Sequence, residues 1–247
     1  MTRFPLLLTI LTTLTSLSMP VSAQDIWNDT TYPKREERAV WLATIGGIDW
    51  PRTKATDQRS TEQQKQELRR TLDQLQRAHI NTVILQTRIR GSVIYPSQIE
   101  PWDAAITGHP NQAPAYDPLK FAIDECHARG MELHAWVVCI PLGTAQRQKA
   151  HGSHSVTHTR PDLCRTVGSE VFMIPGQPGT ADYIANLCKE IIQKYDVDGI
   201  SLDYIRYPES IYRYKDNASA SQKRENITRI VRRVPDVVKS IKPWVKL

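Results

Sequence analysis

The run Asp198-Gly199-Ile200-Ser201-Leu202-Asp203-Tyr204-Ile205-Arg206-Tyr207-Pro208 carries an acid, an arginine and two tyrosines at the end of an apolar stretch. Large Ile200 and Leu202 alternate with small Gly199 and Ser201, so one strand face can pack against helices while the other fits a crowded interior. Asp203 then falls on the small-residue face at the end of the strand. In α/β barrels that is where side chains are positioned for acid, base or nucleophilic chemistry. The competing reading is a structural carboxylate paired with Arg206.

The elements that must position Asp203 alternate along the chain. Residues 39–45 read as a first strand, with Gly46-Gly47 and Asp49-Trp50-Pro51 in its exit loop. A helix over about 60–78 follows, its start signalled by Ser60 with Gln63 three residues on, and Leu68, Leu72 and Leu75 recur at helical spacing. Residues 81–88 form the second strand. A long polar loop ends at Asp117-Pro118, an acid cap followed by an N1 proline, and the helix it opens closes at Gly130. Residues 131–138 are the third strand, followed by a second long excursion. A helix over about 180–195 leads to the strand of Asp203. A last helix over 217–242, interrupted near Pro235, precedes what looks like the start of a fifth strand at residues 244–247. The long loops all follow strands, which gathers them on the carboxyl-terminal side of a parallel sheet. The expected fold is α/β, of the (β/α)8 TIM-barrel type, cut short after about four βα units. A doubly wound open sheet is the rival, weakened because no Gly-x-Gly-x-x-Gly turn follows the first strand.

At the amino terminus, Arg3 precedes an apolar run over residues 4–17, and Val21-Ser22-Ala23 supplies small residues for cleavage. This is the order of a secretory signal peptide over 1–23, and the run is short for a membrane span. A polar lead-in over 24–34 and a barrel domain over 35–247 complete the organisation. The reading predicts an exported protein, periplasmic or extracellular, with no transmembrane span in the mature chain. The formal charge of +6 falls by one when Arg3 leaves with the signal. Lysines and arginines are scattered among acids, which argues against a nucleic-acid partner. Cys126, Cys139, Cys164 and Cys188 fit no metal-finger spacing, and whether any pair as disulfides is left open.

Several segments resemble one family. Arg35-Glu36-Glu37-Arg38-Ala39-Val40-Trp41, Ile48-Asp49-Trp50-Pro51, Tyr95-Pro96-Ser97, Glu100-Pro101-Trp102, Asp117-Pro118-Leu119, Leu133-His134-Ala135-Trp136 and the run 198–208 are similar, in order, to the glycosyl hydrolase-like 10 family. The resemblance covers about residues 35–247, the front half of that family's barrel. It implies a bacterial exported (β/α)8 glycosidase acting on a polysaccharide, with the cell-wall glycan peptidoglycan as a reasonable substrate and no cofactor. Many members carry two successive acids where this chain has Asp203 followed by Tyr204.

Glycoside hydrolysis commonly uses two carboxyl groups. Asp203 is the expected nucleophile or charge-stabilising carboxylate, with Arg206 and nearby tyrosine hydroxyls favouring its ionised form, and Tyr204 and Arg206 are expected to contact the substrate. Asp49, Glu100 and Asp103 are candidate partners, as is an acid from later barrel strands. Gln86 and Arg88 share a parity of the second strand and could hydrogen-bond sugar hydroxyls or hold Asp203 in place; a structural ion pair is the bland reading of Arg88. His134 and Trp136 share a face of the third strand, where a tryptophan offers a flat surface to the C–H face of a sugar. Trp50 and Trp102, beside Asp49 and Asp103, are candidate exposed sugar platforms. His151, His154 and His158 are close in sequence but lack a nearby carboxylate or cysteine to complete a zinc site, so no metal is expected. Two other functions compete: a non-catalytic glycan-binding module, which would lack a second spaced acid, and a metal-dependent polysaccharide deacetylase, which would need a His and Asp ligand cluster.

Overall fold

The computed structural model describes residues 36–208 and 215–247. The expected signal peptide over 1–23 and the lead-in over 24–34 lie outside the described residues. Along the chain come β1 (Ala39–Leu42), α1 (Gln58–Arg77), β2 (Thr82–Arg88), the short α2 (Ala104–Thr107), α3 (Pro118–His127) and β3 (Glu132–Val138). Then follow β4 (Pro141–Thr144), α4 (Ala145–Ala150), α5 (Val156–Thr159), β5 (Cys164–Val167), β6 (Glu170–Met173), α6 (Pro178–Lys194), β7 (Gly199–Asp203) and α7 (Ala220–Ile241).

β1, β2, β3 and β7 form one parallel sheet in that order. Parallel pairing requires long crossovers, and α1, α3 and the segment ending in α6 supply them. The helix-facing side is apolar: Leu42, Val83, Leu85, Leu133, Ala135 and Val137 are buried. Each large side chain so buried contributes about 1.5–3 kcal/mol. The opposite, concave face carries a ladder in register, Trp41 beside Ile84, Ile84 beside His134 and His134 beside Gly199. The next level sets Gln86 beside Trp136 and Trp136 beside Ser201, so Asp203, two residues on, faces the same way. Gly199 has to be glycine there, because a Cβ would lie 2.7 Å from the His134 ring.

α1 starts earlier than its sequence signal suggested. Asp57 is the N-cap and Ser60 the third helical residue, and the two bond each other's backbone N–H as a capping box. Leu68 and Leu72 anchor this helix on the sheet; truncating Leu72 to Ala would cost about 2–5 kcal/mol. Pro235 does not interrupt the last helix, which runs continuously from Ala220 to Ile241. Its stripe of Ile230, Val234 and Val238 is fully buried, and that burial outweighs the one backbone bond that proline removes. Residues 244–247 make only a single parallel bridge to the edge of β7, between Gly199 and Lys246.

The excursion after β3, expected as a loop, holds a small antiparallel sheet in the order β4, β6, β5. Gly168-Ser169 turns β5 into β6, with Gly168 at φ +62, the sign that such two-residue hairpins require. All four cysteines are free thiols, three of them buried. Residues Glu37–Leu247 pack as one compact unit.

Candidate active site at the carboxyl ends of the strands

β7 delivers Asp203 half-buried to the carboxyl-terminal end of the sheet. Its Oδ2 accepts a hydrogen bond from Trp136 Nε1 at 2.9 Å, and its Oδ1 accepts one from the backbone N–H of Tyr204 at 2.6 Å. Tyr204 sits at φ +51, a left-handed conformation that costs a residue with a Cβ free energy and turns the chain sharply away from the strand. Tyr204 therefore supplies its backbone rather than its hydroxyl. Arg206 does not pair with Asp203: its guanidinium lies over the Tyr204 ring, 5.1 Å from the centroid. The structural Asp203–Arg206 ion pair is absent among the described residues, and so is the expected support of the carboxylate by Arg206.

Trp136 is fixed from two sides. Its indole N–H is committed to Asp203, and its ring meets Trp41 edge-on at 4.7 Å. Trp41 is 49% exposed, so the pair presents aromatic surface on the concave face beside the acid. Gln86 lies at the level of Trp136, and its Oε1 accepts from the N–H groups of Thr44 and Ile45 at 3.1 and 2.8 Å. Its carbonyl thus ties the exit of β1 to the end of β2. These residues converge.

Others do not. Arg88, read as a sugar or Asp203 contact, is 1% exposed and forms a bidentate pair with Glu100, Nε–Oε2 at 2.8 Å and Nη2–Oε1 at 2.6 Å. Its Nη1 donates to the carbonyls of Cys139, at 2.9 Å, and Val138. Burial alone would lower the pKa of Arg88, but the adjoining Glu100 carboxylate more than reverses this and holds the proton more tightly than usual. Tyr183 donates its hydroxyl to Glu100 Oε1 at 3.0 Å. Glu100 is thereby removed as a candidate acid, and Arg88 takes its structural reading. Asp103 is likewise spent: it accepts from Ser92 Oγ at 2.5 Å and from the Ala105 N–H at 2.7 Å, and it pairs with Arg147.

Trp50 is not a platform. It is 1% exposed, with Nε1 donating to the Gln64 carbonyl at 2.9 Å, and so packs beneath α1. Asp49 folds back on its own loop, accepting from the Ala43 N–H at 2.7 Å. Trp102 is half-buried in the wall of a separate cavity of about 300 Å3, with Gln98, Asn111 and His154. His134 sits two levels nearer the amino-terminal end than a strand-end residue would, and its Nε2 lies 3.0 Å from Glu132 Oε2. Glu37, Glu132 and His134 bring one potential ligand atom each within 4.8 Å of one another. Lys246 already occupies this group, bonding both Glu132 oxygens at 2.9 and 2.7 Å. Although burial opposes it, those bonds from Lys246 and His134 hold the Glu132 carboxyl below its ordinary range. His151 is buried, its Nδ1 3.1 Å from Asn111 Oδ1.

A cavity of about 110 Å3 adjoins Asp203 through Tyr204. It is lined by Arg90, Ile140, Pro141, Glu170, Phe172, Tyr204, Arg206 and Pro208. Arg90, Glu170 and Phe172 were not read as site residues from the sequence. The Gly168-Ser169 hairpin signal between two short β-prone runs would have placed Glu170 and Phe172 on a strand reaching back to the sheet's end.

The glycosyl hydrolase-like 10 family model matches residues 36–247. Glycosyl hydrolase YngK of Bacillus subtilis is 33% identical over 228 residues, 86% of this chain and 44% of its own. Glycosyl hydrolase DigH of Escherichia coli K12 is 35% identical over 234 residues, 85% of this chain and 53% of its own. The chain thus spans about half the length of these curated relatives. Among solved structures, α-L-fucosidase isoenzyme 2 from Paenibacillus thiaminolyticus superposes with a TM-score of 0.56 at 16% identity, over 86% of this chain and 32% of the other. That likeness shows the fold, the barrel type of glycoside hydrolases.

Proposed function

The chain belongs to the glycosyl hydrolase-like 10 family, and from that premise we propose that it hydrolyses O-glycosidic bonds in a polysaccharide, with Asp203 as nucleophile or charge-stabilising carboxylate. The observation that carries this reading is Asp203 itself: a half-buried acid at the carboxyl end of a barrel-type strand, oriented by Trp136 and beside aromatic surface. The Trp136 N–H fixes one carboxylate oxygen, and the Tyr204 N–H fixes the other. Together the two bonds fix the orientation of the carboxylate. An oxocarbenium-like transition state needs a carboxylate of that kind. The Trp41–Trp136 pair offers an apolar surface for sugar C–H groups.

A second carboxyl group is required, about 5 Å away for a retaining mechanism or about 6.5–9.5 Å for an inverting one. Glu100 and Asp103 are held in buried pairs. Glu170 lines the cavity next to Tyr204 and makes no ion pair among the described residues, so it is the carboxylate to test in that role. Export, which the amino-terminal signal pattern supports, would bring the protein to the bacterial cell wall, and its glycan is the substrate we assign.

The test is release of new reducing ends from purified cell-wall glycan by the chain, by Asp203→Asn and by Glu170→Gln, each checked for folding by circular dichroism. Hydrolysis lost with Asp203→Asn supports the assignment; hydrolysis retained in a folded variant overturns it. Glycan binding without hydrolysis by the unsubstituted chain would identify a binding module instead.

A further inference from the structure

Among the described residues, two guanidinium groups line the cavity beside Asp203 without an acid partner. Arg90 leaves the end of β2 half-buried and Arg206 leaves β7 exposed, and both line this 110 Å3 space. Among the described residues neither makes an ion pair with a carboxylate. This is unusual for the chain's own habits near the site: Arg88 and Arg147, on neighbouring elements of the same sheet end, are both paired with acids. Glu170 is, among the described residues, the one acid in the cavity wall, beside the two arginines. Ile140, Pro141, Phe172 and Pro208 add apolar surface to the wall, which strengthens charge interactions by excluding water.

We propose that this cavity is a subsite for a carboxylate carried by a sugar unit next to the scissile bond, held by Arg90 and Arg206. The proposal rests on the glycosidase reading above and narrows its substrate to acidic glycans. The reasoning is chemical. A planar guanidinium donates two parallel N–H groups to a carboxylate, and two of them in one cavity wall can serve both oxygens. Arg206 is steadied by its contact with the Tyr204 ring, which lowers the entropy lost when it binds. The volume suits a small acidic substituent rather than a whole sugar ring. The carboxylate could belong to a uronic acid or to a lactyl ether on an amino sugar, and both present the same group.

The experiment measures binding and hydrolysis by the intact chain on three matched oligosaccharide sets: uronic-acid glycans, lactyl-ether amino-sugar glycans, and the latter with the carboxylate converted to its neutral amide. The expected result is binding of one acidic set tighter than the amide by on the order of tenfold, the size of one charge-assisted hydrogen bond. The set that shows the preference identifies the source of the carboxylate. The preference should shrink as salt rises from 0.05 to about 0.5 M, since half-exposed pairs are screened. In the Arg90→Gln/Arg206→Gln double variant the ratio of acidic to amide affinity should fall to about one, whereas Arg77→Gln, on α1, should leave the ratio unchanged and so control for net charge. Equal affinity of the unsubstituted chain for acidic and amide glycans overturns the subsite while leaving hydrolysis standing. A ratio that survives the double substitution also overturns it. Failure to bind or cleave any of the three sets defeats the glycosidase reading and the subsite with it.

Discussion

Two carboxylates stand near the carboxyl-terminal ends of strands in one sheet, and the chain treats them in opposite ways. Glu100, in the loop after β2, has its side chain fully out of solvent and receives Arg88 Nε, Arg88 Nη2 and the Tyr183 hydroxyl. Asp203, at the end of β7, keeps a partly open side and among the described residues receives only neutral donors, an indole and a backbone N–H. In sequence both have an arginine and aromatic residues nearby. The difference is that one carboxylate is neutralised by a buried cation and ties its loop to β2 and α6, while the other is oriented without being neutralised. An acid meant to meet developing positive charge has to be left in the second state.

The contrast is broken most severely by removing either member. Asp203→Asn should reduce hydrolysis by about two to four orders of magnitude while leaving the melting temperature nearly unchanged, as measured by initial rates alongside thermal denaturation. Arg88→Ala should do the reverse first: it strands Glu100 in the interior and should cost about 3–5 kcal/mol of stability, read from urea denaturation. If Arg88→Ala left stability unchanged, the structural assignment of the pair would be wrong.

Smaller changes sharpen the same contrast. Trp136→Phe removes the indole N–H from Asp203 but keeps an aromatic against Trp41, and should lower kcat by about tenfold with little effect on unfolding. Trp50→Phe removes the corresponding N–H from the Gln64 carbonyl beneath α1. It should cost about 1 kcal/mol of stability and leave kcat alone. The least effect is expected from pH. Burial, helped by the nearby Arg147, pushes the pKa of His151 below the ordinary histidine range. The unfolded chain then binds the proton that the folded chain resists, so His151 should subtract stability as pH falls below about 6.5 and nothing above it. Melting curves between pH 8 and 5 should show that slope flatten in His151→Gln.

Legibility in the sequence followed the reach of each physical signal. The large-small alternation before Asp203 correctly set it on the interior-facing side of its strand, because strand parity is a local property; that Trp136 shares this side came from the register. Asp117-Pro118 marked the start of α3 through its cap and fixed proline dihedral. Pro235 misled, since the expectation weighed one lost backbone bond and could not see the buried stripe on either side of it. Trp50 misled for a related reason: an aromatic flanked by an acid and a proline looks exposed, but its cavity under α1 is made by residues 14 and more positions away. The strands β4, β5 and β6 were missed because each is only four residues long, too short for alternation to stand out.

The sequence by itself determined the alternation of strands and helices, the side on which the long loops gather, the place of Asp203 at a strand's end and the family. These depend on periodicity, caps and ordered motifs, all carried within a few residues of one another. Only the tertiary structure decided which charged groups are spent and which remain available. Arg88 and Glu100 are twelve residues apart and Trp136 and Asp203 sixty-seven. Whether a carboxylate meets a cation, an indole or open solvent is settled by which strands lie side by side.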